Sequence, residues 1–171
     1  MTGSLAMVFL TILSVVALIF TIVAKPVPHF VWNASPSVPI GLYSVEPFGK
    51  LAVTNIVVAT PPKRLAHFLA ERGYLPIGVP LIKRVLALPG QTVCRNELLI
   101  TVDGIDMGAA LERDSRDRPL PTWQGCLIIG PGEVFLMNWD EPSSLDGRYF
   151  GLIPSSAIVG RALPVWTFEQ Q

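Results

Sequence analysis

Leu81–Leu88 reads LIKRVLAL, an apolar run interrupted by two adjacent cations; Pro89-Gly90 then turns the chain before Thr92–Cys94 resumes extended structure. Read as a strand, alternation sets Lys83 with Leu81, Val85 and Ala87, and Arg84 with Ile82 and Leu86. Both faces are apolar, so one cation must lie against apolar side chains. A lysine can relieve that cost by releasing its proton, which an arginine cannot do. Alternation alone does not choose between the two.

The same kind of segment recurs on both sides of this run. Downstream, Leu98–Val102 with the Asp103-Gly104 turn reads as a hairpin, and Leu127–Ile129 and Glu133–Asn138 read as strands around Gly130-Pro131-Gly132. Glu112–Arg118 (ERDSRDR) is a dense mixed-charge segment, read as an exposed loop, Ser144–Gly151 is rich in turn residues, and Ile158–Val165 supplies a last strand. Upstream, Leu51–Ala59 is β-branched and apolar, a buried strand that Pro61-Pro62 stops. Lys63–Arg72 then places Leu65, Phe68, Leu69 and Arg72 on one face at helical spacing, with Gly73 suited to the helix end. Many short strands, one helix and regular turns predict a mostly β domain with a small helical insertion at about 61–75.

Asn33–Tyr43 (NASPSVPIGLY) is different in kind. Pro36, Pro39 and Gly41 keep helix from forming and leave Ser35 and Ser37 on a stiff, irregular segment. Such a segment can aim a nucleophile, or it can be a turn at the entry to a domain. A serine becomes nucleophilic only if a base takes its proton. The two histidines sit poorly for that role, His29 in a connector and His67 on the amphipathic helix, and they show no metal-ligand spacing with the cysteines. A lysine base would need its pKa lowered by about 3 units, and burial can impose the cost of about 4 kcal/mol. Lys83 alone among the lysines lies inside an apolar run.

Leu5–Ala24 carries no charge and only Thr11, Ser14 and Thr21 as polar members, and as a helix it spans roughly 30 Å, the thickness of a bilayer core. No Lys or Arg precedes it, and Val23-Ala24-Lys25-Pro26 is a poor processing site, so residues 1–25 read as a retained anchor in preference to a cleaved signal peptide. Pro26–Trp32 (PVPHFVW) reads as an extended connector whose aromatics suit a membrane interface. The remaining length suits one domain. Thirteen Lys and Arg balance thirteen Asp and Glu, and no basic block argues for nucleic acid. Nothing points to a cofactor or a metal. Cys94 and Cys126 lack CxxC spacing, and two readings stay open for them: one disulfide, which would mean an oxidising compartment, or two buried thiols.

NASPSVPIGLY, LIKRVLALPGQTV and SLDGRYFGLIP, in that order and behind an N-terminal apolar helix, resemble the type I signal peptidases, membrane-bound Ser-Lys endopeptidases. The resemblance is strongest to their TraF-like branch of conjugal-transfer pilin-processing peptidases, which also has an RGYLP-type segment, here Arg72–Pro76, before the lysine strand. It implies a signal-peptidase-like β domain over residues 26–171, with Ser37 as nucleophile and Lys83 as general base. Arg84 is then structural, and Asp146, paired with Arg148, positions the lysine region. It also implies an inner-membrane protein anchored through residues 5–24, with its domain in the periplasm, where a Cys94–Cys126 bridge is permitted. Its substrate would be a membrane-embedded prepilin, with other mating-pair-formation proteins as further partners. In this branch the acyl-enzyme is resolved by the substrate's own amine, giving a cyclic pilin subunit. The alternatives are an ordinary signal peptidase that hydrolyses, and an inactive structural subunit of a conjugation apparatus. Two residues depart from the family pattern: Gly147 stands where a serine is usual, and Gln91 where an aspartate is, the latter at a turn with little expected consequence.

Overall fold

The computed structural model of the chain describes residues 2–24 and 28–168. Helix α1 (Thr2–Ala24) carries the apolar run, and its 23 residues reach roughly 35 Å. Within it Gly3–Thr21 is long and apolar enough to cross a membrane. The strands are β1 (Phe30–Asn33), β2 (Gly41–Glu46), β3 (Ile56–Ala59), β4 (Leu81–Ala87), β5 (Thr92–Asn96), β6 (Leu99–Val102), β7 (Ile105–Ala109), β8 (Gly125–Ile128), β9 (Glu133–Leu136), β10 (Ile153–Pro154) and β11 (Ile158–Thr167). Two more α-helices interrupt them, α2 (Lys63–Glu71) and the one-turn α3 (Gly147–Phe150), together with a 3-10 turn at Ser155–Ala157.

The strands form a seven-stranded sheet in the order β1-β2-β11-β3-β4-β9-β10 and a four-stranded sheet in the order β7-β6-β5-β8. β4 is an interior strand of the first. Lys83 lies opposite Val57 on β3, and beyond a bulge Ala87 lies opposite Phe135 on β9. The Pro89-Gly90 turn, where Gly90 takes φ 93°, carries the chain from β4 into β5 and so from one sheet to the other. Between the sheets Leu86, Val93, Ile100, Ile129, Phe135 and Met137 make the main core. A second cluster, Val38, Tyr43, Val45, Val58, Ile82 and Ala162, lies under the serine stretch. Cys94 and Cys126 are cross-strand neighbours on β5 and β8, joined in a disulfide with S–S 2.06 Å. Gln91 matters more than its turn position suggested: its Oε1 accepts from Leu88 N–H and its Nε2 donates to Asp103, tying the Pro-Gly turn to the β6–β7 hairpin.

Several local expectations change. Leu51–Asn55 is a turn, and the strand starts only at Ile56, because the Asn55 side chain accepts from Ala52 N–H and Thr54 takes φ 77°. Phe30–Trp32, read as connector, is strand β1 paired with β2; Pro26 and Val27 lie outside the described residues. The turn-rich Ser144–Gly151 holds α3, and the last strand runs on to Thr167.

Gly41 opens β2 with φ 153°, and a Cβ built there would lie 2.2 Å from the Trp166 carbonyl oxygen of β11. Glycine is therefore required by close approach of three strands, β1, β2 and β11. Gly41→Ala is expected to lose about 2–4 kcal/mol of stability by denaturant unfolding of the full-length protein, with the β2–β11 edge protected less against hydrogen exchange.

Candidate active site

The serine stretch folds around Asn33. At the end of β1 this buried side chain donates from Nδ2 to the carbonyls of Ser35, Val38 and Pro39 at 2.7, 2.8 and 3.2 Å, while its Oδ1 accepts from Ser35 N–H. Tyr43 OH donates to the Pro39 carbonyl at 2.6 Å, and Val38 is buried beneath. The loop is thus fixed from both ends, with Ser37 half-buried at its turn and the Ser37 and Ser35 hydroxyl oxygens 2.8 Å apart.

On β4, Lys83 is 5% exposed, whereas Arg84 faces the opposite way, pairing with Asp140 at 3.6 Å and lying over the Trp139 ring. The choice that alternation left open is made by the neighbours: Arg84 finds an aromatic face and a carboxylate near solvent, while Lys83 points into the protein. Lys83 Nζ donates to Ser144 Oγ at 2.7 Å. Burial pushes its pKa down from 10.5 to about 8; Asp146 pulls it up, Arg148 pushes it down and Glu141 pulls it up, all more weakly.

Ser144 is held by a buried ion pair. Asp146 and Arg148 form a two-pronged contact, Nε to Oδ1 and Nη2 to Oδ2, both 2.9 Å, with side chains 0% and 2% exposed. Asp146 also accepts from the backbone N–H of Arg148, capping α3, and from Asn138 N–H. Arg148 Nη2 donates to the carbonyls of Asn138, Glu141 and Ser144, which folds the segment 138–148 into one loop around the guanidinium. Gly147 fits this loop for a steric reason. A Cβ there would lie 2.7 Å from both the Leu136 carbonyl oxygen and the Phe135 ring, so the departure from serine matches a close approach to β9.

Ser35, Ser37, Lys83, Glu141 and Ser144 line one cleft of about 450 Å³, closed on another side by Leu69, Leu75, Val79 and Leu81. The cleft therefore brings together a half-buried serine, a buried amine of lowered pKa and an apolar wall. Asp146 and Arg148 stand behind it. Cys94 and Cys126 are remote from it, both histidines are exposed, and among the described residues no cluster of three or more His, Cys, Asp or Glu offers a metal site. Sequence reasoning missed Ser144, Asn33 and Asn138. Ser144 stands inside the quoted SLDGRYFG stretch, and a hydroxyl two places before the aspartate was the available signal.

A mostly β protein whose cleft sets serine hydroxyls and a lysine together has the make-up of a serine peptidase of the signal peptidase kind. The family described as signal peptidase, peptidase S26, matches residues 2–167, and the chain belongs to that family. Among its relatives, the conjugal transfer protein TraF of Agrobacterium fabrum is 38% identical over 147 residues, covering 80% of this chain and 82% of that protein. The plasmid transfer protein TraF of Escherichia coli is 33% identical over the same shares. The probable signal peptidase I-1 of Synechocystis is 33% identical over 65% of this chain and 52% of its own. A solved signal peptidase I from Enterococcus faecalis aligns with a TM-score of 0.40 at 21% identity, over 66% of this chain and 97% of that one.

The buried amine has a stability signature. Below about pH 8 the folded protein carries a desolvated ammonium, a cost on the order of 3 kcal/mol. Between about 8 and 10.5 the unfolded chain holds a proton that the folded chain has released, so stability rises with pH across that window. Lys83→Met is therefore expected to raise the melting temperature by several degrees at pH 7, a gain that fades as pH approaches 10. Thermal melts of both proteins across this range check it.

Proposed function

We propose that this protein is a membrane-anchored Ser-Lys peptidase that matures a conjugative pilin subunit. The observation that carries the reading is the shared cleft of Ser37 and the buried, pKa-lowered Lys83. The relatives bearing the name TraF favour a role in conjugation. Residues 1–25 act as the anchor, and residues 26–171 act as the peptidase domain on the periplasmic face of the inner membrane, where an oxidised Cys94–Cys126 pair is at home.

In this mechanism neutral Lys83 takes the proton of Ser37, and Ser37 Oγ attacks a substrate carbonyl. The lysine ammonium then returns that proton to the leaving amine, leaving an ester on Ser37. The Ser37 backbone N–H is a donor for the developing oxyanion. Before substrate binds, Lys83 donates to Ser144 and Ser37 engages Ser35, a resting arrangement that tightens into the reactive contact on binding. Attack by the substrate's own N-terminal amine releases a cyclic product, provided that amine is held close and water is kept out. Hydrolysis to a linear product is the second reading, favoured by the likeness to signal peptidases of Synechocystis.

Mass spectrometry of a candidate prepilin co-expressed with the intact protein, with Ser37→Ala and with Lys83→Ala tests both. A product one water lighter than the linear processed chain, absent with either variant, is expected; a linear product lost with both variants keeps the dyad and selects hydrolysis. Processing untouched by either substitution contradicts the reading. With a cleavable substrate in hand, kcat/KM is expected to rise with pH through a midpoint of about 8 and then level, as Lys83 loses its proton.

A further inference from the structure

One cluster of charged and hydroxyl side chains takes no part in this chemistry. Asp114, in the mixed-charge segment, has a side chain only 7% exposed. Its Oδ2 accepts from Tyr74 OH and from Arg118 Nε and Nη2, both at 2.7 Å, and its Oδ1 accepts from the backbone N–H groups of Arg116 and Arg118 at 2.9 Å. Arg118 lies over the Tyr74 ring at 4.9 Å and donates from Nη1 to the Arg72 carbonyl, while Arg72 Nη1 donates back to the Pro119 carbonyl. A segment read from sequence as solvated loop is therefore clamped onto the end of α2.

What the clamp holds is one wall of the cleft. Leu69 is the one buried side chain on α2, and Phe68 packs edge-on against Phe150 with ring centroids 6.0 Å apart, so the clamp adds a polar hold at the far end of the helix. Tyr74 and Leu75 follow, their backbone N–H groups donating to the Leu69 carbonyl, and together with Val79 these residues line the cleft. The wall thus stands on an insertion outside both sheets, and its position depends on polar contacts some distance from the serine and lysine.

We propose that Asp114, acting through Tyr74 and Arg118, is the positioning residue for the apolar wall of Leu69, Leu75 and Val79, the part of the cleft that the helical insertion supplies, and so sets how tightly and how selectively substrate is held there. This rests on the peptidase reading above. A wall that shifts weakens binding of ground state and transition state alike, so it raises KM more than it lowers kcat. A wall cut back enlarges the subsite, and one or more methylenes in an apolar pocket change selectivity by about 10–200-fold.

The test uses the full-length protein in detergent and internally quenched peptides carrying Ala, Val, Leu or Phe at each of four positions before a common cleavable bond. Asp114→Asn and the milder Tyr74→Phe are expected to raise KM about 5–10-fold with kcat within about twofold and with the acid limb of the pH profile unmoved. Leu75→Ala is expected to shift preference by about tenfold or more towards a larger side chain at one position. Melting curves identify any variant that fails to fold, and Tyr74→Phe, which removes a single hydroxyl, keeps the question answerable in that event. Ser37-dependent cleavage with KM and selectivity unchanged in Tyr74→Phe and Leu75→Ala would overturn the wall alone. A loss confined to kcat, or a displaced acid limb, would overturn it too, because the cluster would then act on Lys83. Absence of any Ser37-dependent cleavage by the unaltered protein takes down the peptidase reading, and the wall with it.

Discussion

Lys83 holds its amine almost entirely out of water, and the elements around the cleft are built about that burial. Lys83 can be buried on β4 because that strand is interior to the sheet, with β3 on one side and β9 on the other supplying apolar cover. The same burial that lowers its pKa makes the folded protein less stable at neutral pH than a version with an apolar side chain there. Such a cost fits the proposed chemistry, which needs the neutral amine. Its hydrogen-bond partner, Ser144, accepts from the amine without contributing a charge, so it orients Nζ while leaving the pKa low.

Keeping Ser144 in that place is the task of the Asp146–Arg148 pair. A fully buried ion pair is weak evidence of net stabilisation, since desolvation offsets much of the attraction, but breaking one leaves a buried charge and costs about 3–5 kcal/mol. Here its geometric effect is plain. Arg148 gathers three carbonyls of the 138–144 loop and that of Ala109 on β7, and Arg95 of β5 donates to Arg148's own carbonyl, so the loop is referenced to both sheets. The two charges also act on Lys83 in opposite directions and largely leave burial to set its pKa. On the other side of the cleft Asn33 does by neutral hydrogen bonds what Arg148 does by charge, fixing the serine loop through its carbonyls.

Much of this was legible in the sequence. The strands with strong apolar character, β4, β6, β9 and β11, are where periodicity put them, and so is α2 with its proline entry and glycine exit. Segments that resisted reading share a cause. β2 (Gly41–Glu46) follows directly on a proline- and serine-rich loop and has an exposed Glu46, so its strand character shows only once β1 and β11 flank it. Leu51–Asn55 looks apolar enough for a strand, but the Asn55 side chain turns the backbone first. At the site, the apolar run singled out Lys83, although alternation alone could not separate it from Arg84; Trp139 and Asp140, more than fifty residues away in sequence, account for the difference. Ser144, Asn33 and the Asp114 clamp are hydrogen-bonding roles, and nothing in local composition separates a serine or aspartate that bonds a distant partner from one that faces water.

The most direct test of this account is a titration of Lys83 itself, followed by ¹³C NMR of the full-length protein in micelles with ¹³Cε-labelled lysine, the resonance assigned by its loss in Lys83→Met. A midpoint of about 8 is expected for Lys83 as the general base. A midpoint at or above the ordinary lysine value of about 10.4 would contradict it, since at pH 7 only about one amine in 2,500 would then be free to take the proton of Ser37, against about one in ten at a midpoint of about 8.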